Sequence, residues 1–141
     1  MVKKKKIRSE PRNRAGDYLR VATDFTGGAD TAMEFEYSNA AGVLYVHAAI
    51  AYADAVSIAL SGKKSGSEDH EDVIDLLHDV IRENDQADKD ASNAIQRIIS
   101  IKNEVSYEGR AYTRKDILPL KRRIDLIARW ARDRLRRAGV R

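Results

Sequence analysis

The residues able to do chemistry gather in the stretch ASNAIQRIISIKNEVSYEGRAY, residues 91–112, where a lysine interrupts an apolar stripe and an aromatic, basic turn follows. At about 100° per residue, Ala91, Ala94, Ile95, Ile98, Ile101, Lys102 and Val105 share one side of a helix, with Lys102 ~40° from its centre at Ile98. An ammonium on that face needs a carboxylate, an anionic ligand, or a stem that reaches water from the stripe's edge, because burying an unpaired cation is costly. Beside it, Tyr107, Arg110 and Tyr112 put one basic and two aromatic side chains on a turn. That cluster suits stacking on a base and neutralising a phosphate. It suits equally a bundle end closed by tyrosines whose hydroxyls stay in water.

Two more ionisable groups lie on a second apolar stripe. Val43, His47, Ile50, Ala51, Asp54 and Ile58 share a helical face, and His47 and Asp54, seven residues apart, nearly eclipse after two turns. They are either a polar pocket, with Asp54 partnering Lys102 and His47 exchanging protons or binding an anion, or two hydrogen-bonded structural groups. His70 is a third pocket candidate, one turn before Val73 at the rim of a later helix. With Glu71 it lacks the second histidine of a helical zinc motif, so no metal site is expected. The sequence offers no Gly-rich phosphate loop, nucleophile elbow or recognisable carboxylate pair, so neither a catalytic set nor a cofactor is expected.

The elements that must position these residues are helices. The chain has 141 residues, 43% hydrophobic and 34% charged, with only two prolines, which indicates one all-α domain. Zero cysteines exclude disulfides, thiol chemistry and thiolate metal sites, and fit a cytoplasmic protein. The basic start MVKKKKIRSEPRNR lacks the apolar region of a secretion signal. Residues 41–60 are long enough to cross a bilayer but contain His47 and Asp54 and are rich in alanine, so no membrane association is expected.

Residues 1–12 read as a disordered basic arm and 13–141 as the domain. A short first helix is expected from Asn13 to Phe25, ended by Thr26-Gly27-Gly28. A long alanine-rich second helix would follow from about Asp30 to Ser61, before Gly62. The third opens at Ser67 and buries Val73, Leu77, Val80 and Ile81. A fourth begins at Gln86 or Ala87 and runs to about Tyr107-Glu108-Gly109. The fifth starts at Thr113, with Asp116 completing a capping box, is distorted at Pro119, and carries Trp130 as a core or interface anchor. Its arginines form a basic rod. Charge is divided accordingly: a net of +6 over residues 1–14, −10 over 15–113 and +8 over 114–141.

The alanine-rich second helix AAGVLYVHAAIAYADAVSIAL, the loop GKKSGSEDH running into HEDVIDLL, and a fourth helix ending in KNEVSYEG resemble, in that order, the HEPN superfamily of small helical bundles. The likeness covers roughly Asn13 to Leu135 and is greatest to the bacterial branch. It implies an up-down bundle that forms a homodimer. Ribonuclease members of that family use an arginine, often directly followed by a polar residue, and after four to six residues a histidine, and two protomers bring their copies together at a dimer interface. The matching positions here are Lys102, Asn103 and Tyr107. Lysine keeps a point charge for phosphate but loses the bidentate fork, and a tyrosine with an ordinary pKa near 10 is a poor base at neutral pH.

The expectation is therefore a non-catalytic or weakly active domain that binds RNA or a nucleotide through Lys102, Asn103, Tyr107 and Arg110 at a dimer interface. One alternative is a protein-interaction component of the toxin–antitoxin type, whose acidic middle and basic ends meet a partner protein. The other is a metal-independent ribonuclease in which His47 or His70 supplies the missing base.

Overall fold

Helix formers dominate the sequence, and the elements follow from them. The computed structural model describes residues 7–66, 71–81 and 85–140. In order these are β1 (Ile7–Ser9), a 3-10 turn at Arg12–Arg14, α1 (Ala15–Glu34), α2 (Ser38–Ser61), β2 (Lys63–Ser65), α3 (Glu71–Val80), α4 (Gln86–Ser100), α5 (Lys102–Ser106) and α6 (Arg114–Arg137). The fold is an all-α bundle of five helices with a short sixth, α5, and a two-stranded ribbon as its only sheet among the described residues.

The bundle is built around α2. Every residue from Ala51 to Ala59 is buried, including Asp54 and Ser57. A helix that is apolar all round belongs in a core, and alanines let neighbours come close on each side. α1 packs along it most extensively, α6 next, and α3, α4 and α5 cover the rest. By length and composition α2 could cross a membrane, yet 72% of its apolar window is buried by these neighbours. Gly42 is what lets α5 and α6 reach it: a Cβ there would lie 3.0 Å from Val105 Cγ1 and 3.3 Å from Ile117 Cδ1. At its far end α2 stops where expected, on Gly62 in the left-handed conformation (φ 69°) with its N–H on Ile58 O at 2.8 Å.

The boundary between the first two helices is not at Gly27-Gly28, as the sequence suggests, but nine residues later. α1 runs through both glycines to Glu34. Glycine costs a helix about 1 kcal/mol relative to alanine, and packing overrides it here: a Cβ on Gly28 would already sit 3.4 Å from Leu44. The actual stop is a Schellman motif, with Tyr37 N–H on Ala32 O (2.8 Å) and Glu36 N–H on Met33 O (3.1 Å). Its left-handed residue is Glu36 at φ 63°. Because a non-glycine side chain strains that conformation, Glu36→Gly is expected to stabilise the protein by about 0.5–1 kcal/mol. The check is the urea midpoint; an unchanged or lower value would rule out this turn.

Three other expectations change. Within the arm expected to be disordered, Ile7–Ser9 pairs antiparallel with Lys63–Ser65, and Glu10 N–H reaches Gly62 O at 2.9 Å. Residues 1–6 lie outside the described residues, as do Ser67 and His70. The fourth helix does not continue to Tyr107: it breaks at Ile101 (φ −94°, ψ 1°), and α5 starts anew at Lys102. The last helix starts as expected after Thr113, whose capping box with Asp116 is complete, but it runs unbroken through Pro119, where a distortion is expected.

One buried polar cluster fastens α4 to α6. Asp88, fully buried, closes a capping box with Asp85 at the start of α4. Its Oδ1 also accepts from Trp130 Nε1 and from Arg134 Nε, both at 2.8 Å, and its Oδ2 pairs with the other arm of the Arg134 guanidinium. Trp130 is thus the core anchor expected of it.

Candidate functional site

A cleft of about 560 Å³ opens where the first turns of α2 meet α5. Asn39, Ala40, Val43 and His47 form one wall; Lys102, Val105, Ser106 and Tyr107 form the other. The break at Ile101 makes this wall possible. It resets the helical phase, so Lys102 leaves the stripe of Ile95 and Ile98 and turns, half-buried, towards the cleft. Val105, still buried, plugs the wall against Gly42.

Asn39 holds the far side in place. Its Nδ2 donates to Val105 O (3.3 Å) and Arg110 O (2.8 Å), while its Oδ1 accepts from Tyr112 N–H (2.8 Å). A single amide therefore satisfies three backbone groups of an otherwise irregular segment. Beyond it, Tyr112 donates its hydroxyl to Glu104 Oε2 at 2.5 Å, and burial together with that bond pushes the phenol up to about 12. Arg110 lies 3.5 Å from Glu104 Oε1 and 4.9 Å from the centre of the Tyr112 ring.

The structure thus brings together Lys102, Tyr107 and His47. Asn103 and Arg110 are not in the cleft wall. Asn103 is exposed, and its carbonyl accepts from the N–H groups of Tyr107 and Glu108. Arg110 is occupied by Glu104 and Tyr112. Asp54 does not partner Lys102: it is buried in the middle of α2 and faces Lys64, 3.9 Å away. Burial pushes its carboxyl up to about 7, and Lys64 only partly counters this. The shared face read from the sequence separates in space, because α2 is covered along its second half and open at His47. There the imidazole is exposed and packs 5.7 Å from the Phe25 ring.

Lys102 makes no ion pair among the described residues. Tyr107 is 78% exposed, an unusual state for so large a side chain beside a cleft. The turn that leads into α2 exposes two more aromatics, Phe35 and Tyr37, whose rings stack 6.4 Å apart two to four residues before Asn39. Sequence reasoning missed Phe35, Tyr37 and Asn39. The available signal was the pair of aromatics flanking Glu36, outside both apolar stripes. Among the described residues, no three His, Asp or Glu side chains are placed to hold a metal ion. No family model, no curated protein and no solved structure matches this chain.

Proposed function

We propose that the chain binds RNA or a nucleotide in the cleft between α2 and α5. The observation that carries this reading is one open cleft holding a lysine with no ion pair among the described residues, an imidazole and a solvent-exposed phenol. Lys102 meets a phosphate, Tyr107 stacks on a base, and Asn39 keeps the α5 wall at a fixed distance from His47. Arg110 contributes through the turn and the long-range field rather than from the cleft wall. A HEPN-like identity and a homodimer belong to the same proposal; mass measurement across dilution tests the second.

The experiment is anisotropy of a labelled oligoribonucleotide at two salt concentrations. Lys102→Ala is expected to weaken binding about tenfold or more at both salts, with a salt slope reduced by about one. Equal binding by wild type and Lys102→Ala would reject the cleft. The position of His47 in that cleft favours a second reading, RNA cleavage with His47 as the base. It predicts that His47→Ala abolishes cleavage of the same oligonucleotide while leaving its binding within about threefold.

A further inference from the structure

A second cleft, sharing no residue with the first, lies between α1 and α6 and is floored by α2. Its volume is about 490 Å³, within the usual range for small-molecule sites. At its floor is Tyr52, fully buried, whose hydroxyl meets no donor or acceptor among the described residues. A buried tyrosine normally finds a partner, since an unmet hydroxyl carries a desolvation cost of about 1–3 kcal/mol. Above it stand Arg129 and Arg132, one turn apart on α6, both exposed and neither paired with a carboxylate among the described residues.

The remaining wall groups fix the complementary chemistry. Thr23 and Thr26 donate their hydroxyl hydrogens to Leu19 O (3.0 Å) and Ala22 O (2.9 Å), so towards the cleft they can only accept. Asp125 makes no hydrogen bond or ion pair among the described residues and is also an acceptor. Asp30 is different: its Oδ1 already accepts from Tyr45 Oη (2.5 Å) and Lys121 Nζ (2.9 Å), so that oxygen is engaged within the protein. Gly27 contributes no side chain, and a Cβ there would meet nothing within 4 Å, so the α1 wall is open.

We infer that this cleft binds a sugar phosphate. The phosphate sits between the two guanidiniums, which suit its geometry. The sugar hydroxyls donate to Thr23, Thr26 and Asp125, and a small opening of the floor on binding lets one oxygen accept from the Tyr52 hydroxyl, which solvent does not reach in the unliganded fold. Inorganic phosphate carries only the one or two P–OH donors of its own compact group, which cannot reach all three acceptors from a seat between the guanidiniums, so it fits less well. The double glycine inside α1 then has a role besides close packing: Gly27 keeps the entrance clear.

The test is calorimetric titration of the full chain with ribose 5-phosphate, with inorganic phosphate as control and thermal melting in parallel. Wild type should bind ribose 5-phosphate at least about tenfold tighter than inorganic phosphate. Arg129→Ala/Arg132→Ala, an exposed pair, should lose about a hundredfold, and Tyr52→Phe about tenfold. Without ligand, Tyr52→Phe should melt at the same temperature as wild type or higher, because it removes an unmet hydroxyl. Lys102→Ala should bind ribose 5-phosphate as wild type does, which separates this site from the RNA cleft. Absence of ribose 5-phosphate binding, binding unaffected by the arginine pair, or a Tyr52→Phe protein that melts several degrees lower would each overturn the assignment.

Discussion

Asp88→Ala is expected to cost about 3–5 kcal/mol of folding stability, enough to unfold a marginal domain. The carboxylate is fully buried and takes hydrogen bonds from Arg134, from Trp130 and from the Asp85 backbone N–H at 3.1 Å. Removing it leaves a guanidinium only 7% exposed that has lost its closest carboxylate, with the half-exposed Asp85 at 3.6 Å. A buried guanidinium that loses its bidentate partner is the costly outcome, so replacing Asp88 and Arg134 together by apolar residues should cost less than Asp88→Ala alone. Urea unfolding of the three proteins at pH 7 decides this; equal losses in single and double variants would contradict the clamp.

The same carboxyl sets the acid limb of stability. Burial alone would raise it, but the bonds from Arg134 and Trp130 hold it below the ordinary range. The unfolded group protonates near pH ~4. With the folded value lower, its stabilisation is complete above about pH 4 and is lost as pH falls through the folded value. Wild type should therefore lose stability on acidification from pH 5 to 2 more steeply than Asp88→Asn.

Asp54 has the opposite sign. Its carboxyl is raised to about 7 by burial, against the weaker pull of Lys64. The folded protein thus holds this proton more tightly than the unfolded chain, whose carboxyl ionises near pH ~4. The contribution to stability is complete below about pH 4 and fades as pH rises towards 7; beyond that, the fold contains an ionised carboxylate in its core helix. Asparagine cannot ionise. At pH 9, Asp54→Asn should be more stable than wild type by about 2–4 kcal/mol, whereas at pH 4 the two should agree within about 1 kcal/mol. Melting from pH 4 to 9 is the measurement, and parallel curves for the two proteins would remove Asp54 as the cause. Lys64 does not lose its only neighbour in this exchange, since its ammonium also lies 4.9 Å from the Tyr18 ring centre.

What could be read in the sequence was whatever repeats or signals locally. The alanine-rich core helix, the buried face of α3 with Val73 and Leu77, the Thr113–Asp116 capping box and Trp130 as an anchor all left such marks. The end of α1 did not. Two glycines offered a plausible stop, while the real one used Glu36 in a conformation that glutamate rarely adopts. Lys102 was found, but for an incomplete reason. The stripe that drew attention to it ends at Ile101, and its place in the cleft depends on that break. Asn39 and the Asp88–Arg134 pair act across 66 to 73 and 46 residues of chain, and such partnerships have no period to detect. His47 and Asp54 show the reverse limit: they share an angle on the helix, but His47 is exposed and Asp54 buried, and only the packing of neighbours decides that.

Asn39 also makes the first cleft behave as a latch. Its three bonds to the 105–112 segment depend on one side-chain orientation. Moving the turn outward strains all three together, so the wall has no soft, graded way to yield. Small ligands meet a doorway of fixed width. A guest too large for it must release the whole turn, exchanging Asn39 for its own contacts in a single step.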